Sequence, residues 1–114
     1  MKINLSVIIP VYNAKKTIRT SINSVINQEI KIKNFLLEII LIIDDGKRYE
    51  SIIPKKRNGV SIKIIKTFGI KTGPGNARNL GIKKANGKYI GFLDADDEWS
   101  KNYINNMYET VKQN

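Results

Sequence analysis

An α/β domain, with a mostly parallel sheet flanked by helices, is the fold class this sequence predicts. Three observations predict it. Short β-branched runs alternate with amphipathic segments of helical period. The first of these runs is apolar almost without interruption, as a parallel strand covered on both faces is. Three of the four runs end in polar groups, and open α/β sheets bind ligands beyond the C-terminal ends of their strands.

The first run, Leu5 to Val11, reads as a strand, with Pro10 expected at its end because proline cannot donate to a ladder. Asn13 then reads as a helix N-cap, ahead of a segment that puts Ile18, Ile22, Val25 and Ile26 on one face. The second strand is Phe35 to Ile43, closed by Asp44-Asp45-Gly46. Residues 47–59 carry turn signals: Pro54, the basic cluster Lys55-Lys56-Arg57, and Asn58-Gly59. A short helix fits around Tyr49 to Ile53. Val60 to Thr67 alternates and reads as the third strand. A glycine-rich loop, Gly69 to Gly75, leads into a helix over Asn76 to Ala85, with Gly87 as its stop. Lys88 to Leu93 is the fourth strand. Ser100 is expected to cap a last helix with the apolar face Tyr103, Ile104, Met107, Tyr108 and Val111.

The 114 residues are a natural size for one domain, and 41% hydrophobic residues supply a modest core. The chain has no cysteine and no histidine. A disulfide framework, a thiolate nucleophile, a Ser-His-Asp triad and an imidazole zinc site are therefore all excluded. Any metal must be held by oxygen, which favours Mg²⁺, Mn²⁺ or Ca²⁺. The net charge of +10 favours anionic partners, among them nucleotides and an anionic membrane surface met peripherally. No lysine run forms a basic tail, no nucleic-acid motif is present, and acids sit where a basic groove would lie. Nucleic acid is not an expected partner. No apolar stretch approaches the ~20 residues of a membrane span, and no signal peptide is visible. The expectation is a cytoplasmic protein, with the inner face of the membrane as its place of contact.

The chemistry concentrates at the strand ends. The fourth run breaks off into Asp94-Ala95-Asp96-Asp97. Clustered carboxylates repel unless a cation or protons lie between them, and a hard divalent ion commonly carries a phosphorylated substrate. In a parallel sheet Tyr12-Asn13, Asp44-Asp45 and Asp94 to Asp96 share one edge. They offer an aromatic face, an acceptor and a metal site, the three things a nucleoside diphosphate requires. Gly73 and Gly75 lack the Gly-Lys-Ser/Thr of a P-loop. An EF-hand beginning at Asp94 would need glycine where Trp99 stands. A phosphohydrolase with an Asp-x-Asp nucleophile is the enzyme runner-up.

Four blocks occur together: Ser6-Val7-Ile8-Ile9-Pro10-Val11-Tyr12-Asn13, Asp44-Asp45-Gly46, Gly73-Pro74-Gly75-Asn76-Ala77-Arg78-Asn79-Leu80-Gly81-Ile82, and Gly87 through Trp99. In that order they resemble the N-terminal part of a family 2 glycosyltransferase with the GT-A fold, a Rossmann-like sandwich. The resemblance implies transfer of a sugar from a nucleotide-sugar, a UDP-sugar above all, to a saccharide or lipid-linked acceptor, with inversion. It implies that Pro10 and Tyr12 line the base pocket and that Asp44 accepts the hydrogen on N3 of uracil. Asp94 would contact ribose or sugar, Arg78 the donor sugar or phosphates, and Asp96 would bind Mn²⁺ or Mg²⁺. Asp45 reads as the turn residue beside Asp44. Asp97 and Glu98 are expected to pair with lysines or to favour the last helix's N-terminus, and Trp99 to anchor the core. The family pattern continues past the Asp-x-Asp with the acceptor site and the catalytic base. No catalytic residue is therefore expected within this chain, which corresponds to a truncated, donor-binding half. Such a half could bind the nucleotide-sugar without turning it over. After Gly46 the sequence departs from the family's Ser-x-Asp continuation with Lys47-Arg48-Tyr49-Glu50.

Overall fold

Two strands, β1 (Leu5–Val11) and β2 (Leu37–Ile43), form the dry centre of the molecule. A computed structural model describes residues 2–55 and 57–113, and among these, side chains as far as residue 111; Lys56 of the basic cluster lies outside them. With β3 (Val60–Lys66) and β4 (Tyr89–Phe92), the two central strands make a four-stranded sheet of order β3-β2-β1-β4. Every pairing is parallel.

Side chains alternate across a strand, and the alternation sorts the core into two layers. Leu5, Val7, Ile9 and Val11 of β1, with Leu37, Ile39, Leu41 and Ile43 of β2, face α1 (Ile18–Ile26) and α3 (Tyr103–Gln113). Ile8, Ile40 and Ile42 face the other way, onto Ala77 of α2 (Pro74–Lys84). The expected apolar face of α1 is the buried one. In α3, Ile104 is fully buried, while Tyr108 meets Phe35 and Tyr89 edge to face at ring distances of 5.4 and 5.6 Å. Trp99 packs against the core, stacked on Tyr103 at 4.2 Å and lying under Gly91.

Several boundaries differ from expectation. Pro10 does not end β1 but pairs with Ile42 inside it. Its missing N–H points to the β4 side, as the Ile8 carbonyl does, and β4 pairs no further than Ile8. No ladder bond is lost there. Asn13 is not the N-cap of α1: it sits at φ 51°, and Thr17 occupies the cap position without a side-chain bond. The last two residues of the glycine-rich loop, Pro74 and Gly75, are helix, because Pro74 suits the first helical position, where its absent N–H costs nothing. The segment near Tyr49 is a single 3₁₀ turn, Glu50–Ile52. Ser100 offers its backbone carbonyl to Tyr103 rather than a side-chain cap. The helix α2 ends at Lys84, and Gly87 serves instead as a point of close approach: a Cβ there would lie 2.6 Å from the Ser6 nitrogen.

One polar network crosses the α2 face of the sheet. Glu38, 2% exposed, accepts hydrogen bonds from the Ser6 hydroxyl and the Asn86 N–H and pairs with Lys63 at 3.2 Å. Lys63 also donates to the Lys84 carbonyl, and Gly87 N–H to Ser6 Oγ. Three strands and the α2–β4 connection are thereby fastened at the end of the sheet away from its acidic rim. Burial pushes the Glu38 pKa up, but the donors from Ser6, Asn86 and Lys63 together outweigh it and hold the carboxyl below its usual range.

Candidate functional site

The strand order creates the site. From β1 the chain moves outward through β2 to β3, then returns to the opposite side of β1 for β4. Connections leaving neighbouring strands in opposite directions open a crevice at their C-terminal ends. Here β4 stops at the level of Ile8, so β1 projects beyond it. A cleft of about 450 Å³ opens at this place, and Pro10, Tyr12, Asp44, Arg78, Asp94 and Asp96 all line it. That volume lies in the usual range for a small-ligand site. The six residues come from three strand ends and the α2 helix, up to 86 positions apart (96 minus 10).

Asp44 is 4% exposed at the end of β2. Its Oδ1 accepts from the Thr67 hydroxyl at 2.8 Å, the Thr72 N–H at 3.0 Å and the Thr72 hydroxyl at 2.7 Å. Oδ2 accepts from the Gly73 N–H at 3.0 Å. Burial alone would raise its pKa; the Thr72, Thr67 and Gly73 donors outweigh that and lower it. Asp44 is thus a fixed anion at the N-terminal end of α2. Its Oδ2 keeps one acceptor direction for a ligand, since a carboxylate oxygen has two lone pairs.

Asp45 points elsewhere. Its Oδ2 accepts from the Asn13 N–H at 2.8 Å and from the buried Tyr49 hydroxyl, and its Oδ1 from the Lys47 N–H. The Tyr49 oxygen in turn accepts the Ala14 N–H at 3.2 Å. These bonds clasp the 12–14 turn, and Tyr12 with it, onto the end of β2. The left-handed Asn13 is held in the same clasp, with its Oδ1 accepting from Lys47 Nζ. Burial first, then the bond to Asp45, pushes the Tyr49 phenol up to about 12.

On the β4 side, Asp94 and Asp96 are both exposed. Asp94 Oδ1 lies 3.4 Å from Arg78 Nη2, and its carbonyl accepts the Asp97 N–H in a tight turn. Among the described residues, Asp97 and Glu98 form no ion pair with a lysine, and α3 starts beyond them at Tyr103. Nor do three acidic, histidine or cysteine side chains gather into a cation cage. Two exposed carboxylates suit an ion that keeps most of its coordination for water and phosphate, as Mg²⁺ does. The residues present fit such an ion and would not enclose one alone.

Sequence reading missed several contributors. Lys71 lines the cleft beside Asp44, its N–H donating to the Asp44 carbonyl at 2.6 Å and its backbone left-handed at φ 55°. A cation inside a glycine-rich loop was the available signal. Tyr49 lay in a stretch with no periodicity, and nothing local marked it.

The model of the family described as Glycosyl transferase family 2 matches residues 6–114. The chain belongs to that family. The minor teichoic acid biosynthesis protein GgaA of Bacillus subtilis is 38% identical over 115 residues, covering 91% of this chain and 24% of that protein. The amylovoran biosynthesis glycosyltransferase AmsB of Erwinia amylovora is 34% identical, covering 97% of this chain and 36% of that protein. Among solved structures, TarS 1-349 of S. aureus in complex with UDP-GlcNAc superposes with a TM-score of 0.82 at 28% identity, over 97% of this chain and 32% of that one. The same protein is also solved with UDP. This family 2 chain thus has the GT-A architecture and spans between a quarter and about a third of these proteins. No helix among its described residues is long and apolar enough to cross a membrane.

Proposed function

We propose that this family 2 glycosyltransferase chain binds a UDP-sugar in the 450 Å³ cleft. We further propose that the complete reaction is metal-dependent transfer, with inversion, to a saccharide or lipid-linked acceptor. The observation that carries the reading is the convergence of the six strand-end and helix residues on one cavity at the switch point of the sheet. The UDP and UDP-GlcNAc complexes of the TarS relative support the choice of donor.

Each residue has a role that its surroundings allow. Tyr12, 43% exposed at the mouth, offers a ring face to the base, with Pro10 as the floor. Asp44 Oδ2 accepts the N3 hydrogen of uracil. Asp94 takes a ribose or sugar hydroxyl, releasing part of its pairing with Arg78. Arg78 and Lys71 face the phosphates, where charge grows as the sugar–phosphate bond breaks. Asp96 would hold Mn²⁺ or Mg²⁺, whose chemistry is to stabilise the departing diphosphate as a Lewis acid. The acceptor site and the base that deprotonates the acceptor belong to sequence beyond these residues. The site of action we assign is the cytoplasm, at the inner face of the membrane.

Calorimetric titration with UDP, with and without Mn²⁺, tests the reading. Tighter binding with metal in the parent chain, lost in Asp96→Ala, is expected. Equal affinity in all four titrations would remove both the metal and the role of Asp96.

A further inference from the structure

We propose that Ser21, on the buried face of α1, is a positioning residue that sets the cation affinity of the Asp96 site. The inference rests on the metal-dependent donor binding proposed above. Asp96 is exposed, and among the described residues its carboxylate makes no hydrogen bond or ion pair of its own. Its direction is therefore decided by the backbone that carries it. That backbone is the irregular segment between the end of β4 at Phe92 and the start of α3 at Tyr103.

Three polar side chains of the α1 region are spent on this segment. Ser21 Oγ lies 2.9 Å from the Ala95 carbonyl and 2.5 Å from the Asp97 carbonyl. Those are the peptide oxygens of the residues immediately before and after Asp96. A hydroxyl has one proton, so Ser21 bridges the two carbonyls with a single shared donor. Ser24 Oγ accepts the Trp99 N–H at 3.1 Å. The Gln28 side chain donates to the Ser100 carbonyl and accepts the Ile104 N–H at 2.9 Å. Ser21 is 1% exposed and Gln28 2%. Burying a hydroxyl in an apolar layer costs stability unless it is bonded. Here its bonds go to the one loop whose conformation orients the acid.

Partners that orient a metal ligand typically change metal affinity 10–100-fold when removed. The test uses the full chain and compares the parent with Ser21→Ala, Ser21→Thr and Ile22→Val. The last is a control that loosens α1 but removes none of the segment's hydrogen bonds. UDP affinity is measured by calorimetry with and without Mg²⁺. In parallel, the emission of Trp99, the sole tryptophan, is followed during a Mg²⁺ titration with UDP present. We expect Ser21→Ala to leave metal-free UDP affinity unchanged and to weaken Mg²⁺ binding about tenfold. Ser21→Thr, which keeps a hydroxyl, restores it, and Ile22→Val matches the parent. Should Ser21→Ala not fold, Ser21→Cys, whose thiol is a weak donor, is read the same way. If the parent responds to Mg²⁺ and Ser21→Ala responds equally, this inference alone is overturned. An equal loss in Ile22→Val also overturns it, since the effect is then one of stability. If the parent itself shows no Mg²⁺ effect, the metal reading falls and takes this one with it.

Discussion

Replacing Tyr49 with phenylalanine removes one oxygen from a buried clasp and makes a prediction with a sign at two pH values. At neutral pH the hydroxyl donates to the ionised Asp45 and accepts from the Ala14 N–H. Hydrogen bonds to a charged group are worth about 1.5–3 kcal/mol, and an orphaned buried donor costs about 1–3 kcal/mol. Tyr49→Phe should therefore destabilise by about 2–4 kcal/mol, a shift of order 10 °C in Tm for a domain of this size. The phenol pKa rises from an unfolded value of 10.0 to about 12 in the fold. A group raised in this way contributes stability that is complete below the unfolded value and lost as pH climbs through the folded one. Between these limits the parent loses roughly 3 kcal/mol that the variant, having no phenol, keeps. About half of this is gone by about pH 11. Urea unfolding of both proteins at about pH 8 and pH 11 gives the two gaps. A gap that narrows by roughly 1 kcal/mol or more fits the clasp. A constant gap would refute it, and so would a Tyr49 that ionises with the exposed tyrosines in an absorbance titration.

Three further outcomes are expected. Gly81→Ala puts a Cβ 2.5 Å from Ile8 Cγ2, in a side chain fully buried against α2. Overpacking of about 1–3 kcal/mol should exceed the ~1 kcal/mol gained in helix propensity, and Ile8→Ala should cancel it in a double-mutant cycle, which additive unfolding energies would disprove. Asp44→Asn should cost about 1–3 kcal/mol and weaken UDP binding, because Thr72 and Gly73 direct N–H groups at different oxygens and an amide offers only one; unchanged denaturation would contradict this. Glu38, Asp44 and Asp45 all have lowered pKa values, so their contribution is present above the unfolded values near 4 and lost as pH falls through the folded ones. Glu38→Gln should make acid unfolding measurably shallower, and identical acid profiles would count against the network.

Much of the site was legible because the residues that make it stand next to strong local signals. Asp44 follows the seven-residue strand β2, and Asp94 and Asp96 follow the four-residue strand β4, so period and polarity placed them at strand ends. What local signal could not supply was direction. Asp44 and Asp45 are adjacent and chemically identical, yet the first lines the cleft and the second clasps Asn13 and Tyr49. Asn13 has the composition of a helix cap and instead takes a left-handed turn, its N–H bound to Asp45 in the turn that follows β2. Pro10 reads as a strand terminator, but its fate depends on where β4 stops pairing.

By itself the sequence determined the alternation of strands and helices, the buried faces, the oxygen-only donor set and the family blocks, all properties of neighbouring residues. Tertiary structure alone decided that β4 returns beside β1, which turns three separate strand ends into one cleft. It also decided that Ser21, Tyr49 and Glu38, unremarkable in their own segments, hold that cleft and its sheet in place. Their partners lie 74, 4 and 32 positions away. A hydrogen bond depends on distance in space, which a linear pattern does not carry.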